Sequence, residues 1–331
     1  MLHVVLWQAS NIWNFEVDTV SNFILHHYQP SPFSEKIRTI LGYKGLSYRA
    51  VTIPVVMPKP DLTALTGGYR KTPVLQQGAH VYCDTRLIAR VIDAQASEKT
   101  IYPEDQAVSA NILAQWADQR LFTLAAGLLF SPAGFAEFAA KIPSAMVEAF
   151  VKDREILRRG ATAPRISQET ILSELPVFLQ QLEQQLQNGG PYISGAEPTI
   201  ADFSVYHNIW FINNNAAVRV HLQPYPTLQD WFAAMKEIGH GTIEEISGQA
   251  AIDEARLSES ESHADCEFLE LNGLKYGDQV TVQPTDYGLD PVAGELVLSL
   301  LDEVAIKRVD ERAGEVYVHF PRVGYQIDLV S

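Results

Sequence analysis

The sequence predicts an α/β domain, then an all-α helical bundle, then a small all-β domain. Three patterns carry that expectation: strands and helices alternate up to about residue 98, helical periodicity runs from Asp105 to about Arg256, and period-two alternation fills residues 265–331. In the first segment Phe23-Ile24-Leu25-His26-His27 reads as a strand. Phe33, Ile37, Ile40 and Leu41 then mark one face of a helix from Pro32, and Tyr48 to Val56 is β-branched and extended. A stretch broken by Pro58, Pro60, Gly67 and Gly68 leads to two short strands, Pro73 to Gln76 and His80 to Tyr82, and to a helix faced by Leu87, Ile88, Val91 and Ile92. The unit is β-α-β followed by β-β-α.

The middle segment reads as helices faced by Ile112, Leu113, Trp116 and Leu121, and by Ile171, Leu175, Phe178, Leu182 and Leu186, the latter stopped by Gly189-Gly190. Ser258-Glu259-Ser260-Glu261-Ser262 is polar, acidic and aperiodic, hence a linker. Beyond it, strands centre on Val280-Thr281-Val282, Leu296-Val297-Leu298, Val304-Ala305-Ile306, Val316-Tyr317-Val318 and Tyr325-Gln326-Ile327, as in a small barrel or sandwich. The expected divisions are an N-terminal extension over 1–21, the α/β domain over 22–98, the helical domain over 99–257, a linker over 258–264 and the β-rich domain over 265–331.

The chain has 331 residues, enough for two or three cores. Its 47% hydrophobic and 20% charged residues are those of a globular protein. A net charge of −15 argues against nucleic acid and anionic membranes as partners, and only residues 1–100 hold more basic than acidic side chains. Two cysteines, Cys83 and Cys266, are too few for a disulfide framework. No stretch reaches the ~20 apolar residues of a membrane span, and no Lys or Arg precedes Lys36. A cytoplasmic protein is expected. The histidines, including His26-His27, lack metal-ligand spacing, so no metal is expected.

Three short segments stand where the β-α-β, β-β-α order brings chain ends to one edge. Ser31-Pro32 opens the first helix, and Ser31 serves there either as an N-cap or as a reactive-site hydroxyl. Lys71-Thr72-Pro73-Val74 places a proline at the start of a strand, and Asp84-Thr85 opens the last helix. Alone, each reads as ordinary capping or turn chemistry; together they converge.

With these residues in hand, residues 22–256 resemble a glutathione transferase, whose N-terminal domain is thioredoxin-like and whose second domain is helical. The resemblance implies that Ser31 stands where thioredoxin has the first cysteine of its CxxC motif, making this a serine-type sequence. Lys71-Thr72-Pro73-Val74 is similar to the family's segment before a cis-proline, with Thr72 where valine or isoleucine is commoner. Asp84-Thr85 matches an acidic-plus-hydroxyl pair that is usually Glu-Ser. Gly195-Ala196-Glu197-Pro198-Thr199-Ile200-Ala201-Asp202 resembles the motif opening a buried helix of the second domain, and Thr199 with Asp202 is assigned to folding. Residues 1–21 and the β-rich tail lie outside the resemblance.

What the resemblance implies is glutathione as co-substrate, its thiol activated by Ser31 and added to a small apolar electrophile. A thiol of ordinary pKa is only about 3% ionised at pH 7. A charge-assisted hydrogen bond of about 1.5–3 kcal/mol lowers that pKa by roughly one to two units, and the start of the helix at Pro32 acts in the same direction. Thr72, before a cis Pro73, pairs with the cysteinyl backbone; Thr85 takes the γ-glutamyl carboxylate, Asp84 its ammonium, and Lys71 the glycyl carboxylate. Tyr28 is the rival donor to the sulfur. Ser34 at the second CxxC position excludes thiol–disulfide exchange there. Trp116, Phe122, Tyr206 and Trp210 are candidates for the electrophile cleft, each more often core than pocket. The family further implies a homodimer. The alternatives are a non-catalytic scaffold whose β-rich tail binds a partner protein, and another glutathione-using enzyme, an isomerase or peroxidase.

Overall fold

The computed structural model describes residues 20–162, 165–258, 268–269 and 272–330. Most of the expected N-terminal extension, most of the linker and Cys266 lie outside these residues.

Strand β1 (Val20–His27), helix α1 (Pro32–Tyr43), β2 (Ser47–Thr52), β3 (Val74–Gln77), β4 (His80–Cys83) and α3 (Thr85–Gln95) form the expected β-α-β and β-β-α units. β1 pairs in parallel with β2 and antiparallel with β3, and β3 pairs antiparallel with β4. This is the thioredoxin-like arrangement. Because strand side chains alternate, Phe23, Leu25, Leu75 and Tyr82 enter one core while Ile24, Val74, Val81 and Cys83 enter another on the opposite face. One difference from the sequence reading is a helix inside the Pro- and Gly-broken stretch, α2 (Pro60–Thr66). Pro60 starts it without needing an N–H, and Gly67 ends it at φ +75°.

The helical half comprises α4 (Ala107–Trp116), α5 (Phe122–Leu129), α6 (Pro132–Ala139), α7 (Ser144–Leu157), α8 (Gln168–Gly189), α9 (Ile200–Asn213) and α10 (Pro226–Glu237), with one π-turn, Ala117–Leu121, between α4 and α5. α9 is buried almost all round, and with α1 and α3 it builds the first core from Phe203, Tyr206, Ile209, Ile37 and Ile88. The chain then returns to the sheet. β5 (Thr242–Glu245), which periodicity does not reveal, pairs in parallel with the edge of β2, and α11 (Gly248–Leu257) buries Ala251, Ile252 and Ala255 in the second core.

All five C-terminal strands form where alternation places them: β6 (Gln279–Pro284), β7 (Val292–Ser299), β8 (Glu303–Asp310), β9 (Gly314–Pro321) and β10 (Tyr325–Leu329). They make an all-β region, but its pairing is continuous with the first domain. β9 pairs in parallel with β4, giving one ten-stranded sheet of order β10-β6-β7-β8-β9-β4-β3-β1-β2-β5. The reason is that β4 ends the thioredoxin-like sheet with an unpaired edge, which β9 satisfies. Val280, Val282, Leu296, Ile306, Val318 and Phe320 complete the second core against Leu62, Leu65 and Tyr69. Among the described residues no single helix is long and apolar enough to cross a membrane.

Candidate functional site

The structure brings Ser31, Thr72, Pro73, Asp84 and Thr85 to one edge of the sheet. Ser31 caps α1: its Oγ accepts the Ser34 N–H at 3.2 Å, and Pro32 follows at the first helical position. A hydroxyl has one proton to give besides its lone pairs, so capping leaves Ser31 able to donate. The two uses are compatible. Ser31 is 3% exposed, and its N–H donates to the Tyr28 carbonyl at 3.2 Å; burial pushes the Tyr28 phenol up against the opposing pull of Arg154. The two candidate hydroxyls therefore belong to one turn of chain between β1 and α1.

Thr72 precedes a cis peptide bond to Pro73, and a second cis bond joins Met57 to Pro58. The Thr72 Oγ1 accepts from Lys59 Nζ at 3.1 Å. Lys59 is 5% exposed, lies 5.4 Å from the centre of the Tyr28 ring, and has its pKa lowered to about 8 by burial, with the Arg154 charge adding to the effect. Asp84 caps α3 by accepting the Arg86 N–H at 2.9 Å, at φ +75°, the one left-handed non-glycine among the described residues. Thr85 follows as the first residue of the helix and is buried.

Lys71 is engaged from within the chain. Its Nζ lies 2.6 Å from Asp286 Oδ1 and 4.4 Å from the centre of the Tyr287 ring, both on the β6–β7 loop. Tyr325 of β10 donates to Asp84 Oδ2 at 3.1 Å, and its hydroxyl is 2.6 Å from that of Tyr69. The helical half also reaches in. Asp153 of α7 accepts from Arg70 at 2.9 Å and from the Met57 N–H at 3.1 Å, and Arg154 donates to the Tyr28 hydroxyl and the Val55 carbonyl, each at 3.4 Å.

The sequence reading thus missed Lys59, Arg154, Asp286, Tyr287 and Tyr325. Lys59, between Pro58 and Pro60 just before α2, carried a local signal. The others arrive from elements far along the chain and carried none.

Of the cleft candidates, Tyr206 is a core residue, 1% exposed and donating to Glu35 Oε1 at 3.2 Å. Phe122 packs on Phe33 with ring centres 4.7 Å apart, and Trp210 packs partly buried against the first core. Trp116 meets Phe178 edge to face at 4.9 Å and, with Ile112, Leu113 and Leu182, lines an open groove of about 830 Å³ between α4 and α8 that includes none of the residues above. No trio of His, Cys, Asp or Glu able to hold a metal ion occurs among the described residues. Ser34, at the second CxxC position, is fully buried, and the Cys83 thiol is pushed well up by burial, which leaves it inert.

The family model of the glutathione S-transferase N-terminal domain matches residues 25–100, and that of the C-terminal domain matches residues 159–240. A solved structure of a GST-like protein from Pseudomonas syringae is 39% identical, with the match covering 93% of this chain and 99% of that one at a TM-score of 0.77. A glutathione S-transferase from Rhodospirillum rubrum F11 is 17% identical over 65% of this chain and 87% of its own, at a TM-score of 0.47. No curated protein matches the sequence significantly. The portion of this chain outside the first match is shorter than the C-terminal β region, so the Pseudomonas syringae protein shares part of that region too. With both domain models matched in order and a 39% identical structure spanning nearly the whole chain, the protein belongs to the glutathione S-transferase family.

Proposed function

We propose that this protein is a serine-type glutathione transferase. It binds glutathione at the edge formed by Ser31, Thr72, Asp84 and Thr85, activates the thiol with the Ser31 hydroxyl, and adds it to a small apolar electrophile. The observation that carries the reading is the placement of Ser31 Oγ at the start of α1 with its N–H acceptor role filled by Ser34 and its proton left to give. Two pKa units of lowering would make the bound thiol about 75% ionised at pH 7. The ligand's glycyl carboxylate goes to Lys71 once Asp286 releases it, with Lys59, which donates to Thr72 Oγ1, as a second cation nearby. Like members of its family, the protein works as a homodimer in the cytoplasm.

The test is a pH titration of bound glutathione followed by far-ultraviolet thiolate absorbance, in the wild type, Ser31→Ala and Tyr28→Phe. A bound thiol pKa lowered by at least one unit and restored by Ser31→Ala is expected. Restoration by Tyr28→Phe alone would transfer the role to the phenol. The absence of binding at millimolar glutathione would replace the enzyme by the non-catalytic scaffold, a reading that draws on the prior engagement of Lys71 and Asp84 by the tail.

A further inference from the structure

We propose that the C-terminal β region is a built-in competitor for the glutathione site: the β6–β7 loop and Tyr325 occupy residues the tripeptide needs, so that binding requires the loop to lift. This rests on the glutathione reading above and concerns the regulation of that same site.

The loop lies as a strap across the boundary between the two halves of the molecule. On one side Asp286 pairs with Lys71 at 2.6 Å, and the Tyr287 ring lies 4.4 Å from the same ammonium. On the other side the strap is tied to the end of α7: Gly288 N–H donates to the Leu157 carbonyl at 2.9 Å, Thr162 N–H to the Asp286 carbonyl at 2.9 Å, and Thr162 Oγ1 to the Thr285 carbonyl at 2.7 Å. Beside the strap, Tyr325 holds Asp84 Oδ2 at 3.1 Å while Arg86 N–H holds Oδ1 at 2.9 Å. Both oxygens of the carboxylate that would receive the γ-glutamyl ammonium are therefore already engaged from within the chain. An incoming ammonium has to share Asp84 Oδ2 with the Tyr325 hydroxyl, and an incoming peptide backbone beside Thr72 has to pass Asp286 and Tyr287.

The attachment is of a kind that can open. Asp286 is 40% exposed at the pair with Lys71, and an ion pair so open to water is weak. The ties to α7 and to the segment just after it are single hydrogen bonds from a seven-residue connection between two strands, so the strap can lift without unpairing β6 or β7. Gly288 is what lets it seat closely. It sits at φ +64°, and a Cβ there would meet Leu157 Cδ1 at 3.2 Å.

Two variants loosen the strap by different means. Asp286→Asn removes its charge from Lys71, and Gly288→Val disfavours the left-handed turn and pushes against Leu157. Calorimetric titration of the full-length protein with S-methylglutathione is expected to show affinity at least fivefold tighter in each variant than in the wild type. Limited proteolysis is expected to cut the loop faster in Gly288→Val, and to cut it faster in the wild type when S-methylglutathione is present. Equal affinity in wild type and both variants would overturn the inference while leaving the glutathione reading intact. Weaker binding in Asp286→Asn would overturn it in favour of Asp286 as a ligand-binding residue. No binding by wild type or either variant at millimolar ligand would overturn both the inference and the reading on which it rests.

Discussion

Replacing Asp202 tests how the helical half is held against the thioredoxin-like half. The Asp202 carboxylate is fully buried and accepts four hydrogen bonds: from Ile193 N–H at 2.9 Å and Trp231 Nε1–H at 3.0 Å on one oxygen, and from Thr199 N–H at 2.9 Å and the Thr199 hydroxyl at 3.2 Å on the other. It closes a reciprocal cap on α9, the helix that packs along α1 and builds the first core. In Asp202→Ala two backbone N–H groups and an indole N–H lose their acceptor in a dry interior. At about 1–3 kcal/mol per orphaned donor, with some water entering the space, the loss is roughly 3–6 kcal/mol. Burial pushes the Asp202 carboxyl up, so its removal recovers part of a desolvation cost and favours the lower end. A loss of about 3 kcal/mol lowers the melting temperature by roughly 6–12 °C. Thermal unfolding by far-ultraviolet circular dichroism measures it, with Trp fluorescence reporting the Trp231 environment. Asp202→Asn, which keeps one acceptor oxygen and points an amide at the Thr199 donors, should lose nearly as much. A shift below about 2 °C in Asp202→Ala would show that these hydrogen bonds do not carry the helix, and the reasoning from orphaned donors would fail.

Three further outcomes follow from other parts of the molecule. Lys59 titrates near pH 8, so an anion placed beside it raises its pKa. Binding of S-methylglutathione at pH 8.5 should therefore take up protons, and its calorimetric enthalpy should depend on the buffer in the wild type but not in Lys59→Met; a buffer-independent wild type would remove Lys59 from the site. His26 and His27 are both lowered to about 4, chiefly by burial, and the Arg38 charge adds to the effect at His27. The unfolded chain therefore binds more protons between about pH 6.5 and 4, and stability is fully present above that window and falls as pH drops through it, by on the order of 3 kcal/mol per histidine. Urea unfolding from pH 7 to 4.5 should show this slope and His26→Phe should flatten it, whereas an unchanged slope in the variant would assign the acid sensitivity elsewhere. At Asp84, with φ +75°, Asp84→Gly should be more stable than Asp84→Ala by on the order of 1 kcal/mol, because both lose the cap to Arg86 but only glycine is free of the left-handed strain; equal melting temperatures would contradict it.

The site was legible in the sequence where its residues are tied to helix starts. Ser31 before Pro32 and Asp84 before Thr85 are capping signals, and a capping residue has to stand at a helix N-terminus wherever the helix goes. The five C-terminal strands were legible for a similar reason, since Val280, Val282, Val304, Ile306, Val316 and Val318 recur at every second position and enter one core, while Ala305 and Tyr317 between them are buried on the other face. Helix α2 was hidden by its own start and stop signals, because Pro60 and Gly67 read as breaks and the helix's seven residues are too few to show a period. β5 was hidden because Thr242–Glu245 is an exposed edge strand with no apolar alternation to display.

The sequence by itself determined the three kinds of structure, the serine at the first CxxC position and the residues that open each helix around the site, because capping, periodicity and turn chemistry act over a few neighbouring residues. Only the tertiary structure decided that the β-rich tail continues the first sheet through the β4–β9 pairing, that Lys71 is spent on Asp286, and that Tyr325 stands against Asp84 across 241 positions of chain. Such contacts depend on which edge a strand finds unpaired and which charge it meets there. Strand alternation repeats every two residues and is equally compatible with a free-standing barrel or an extended sheet; the open edge of β4 is what selects between them.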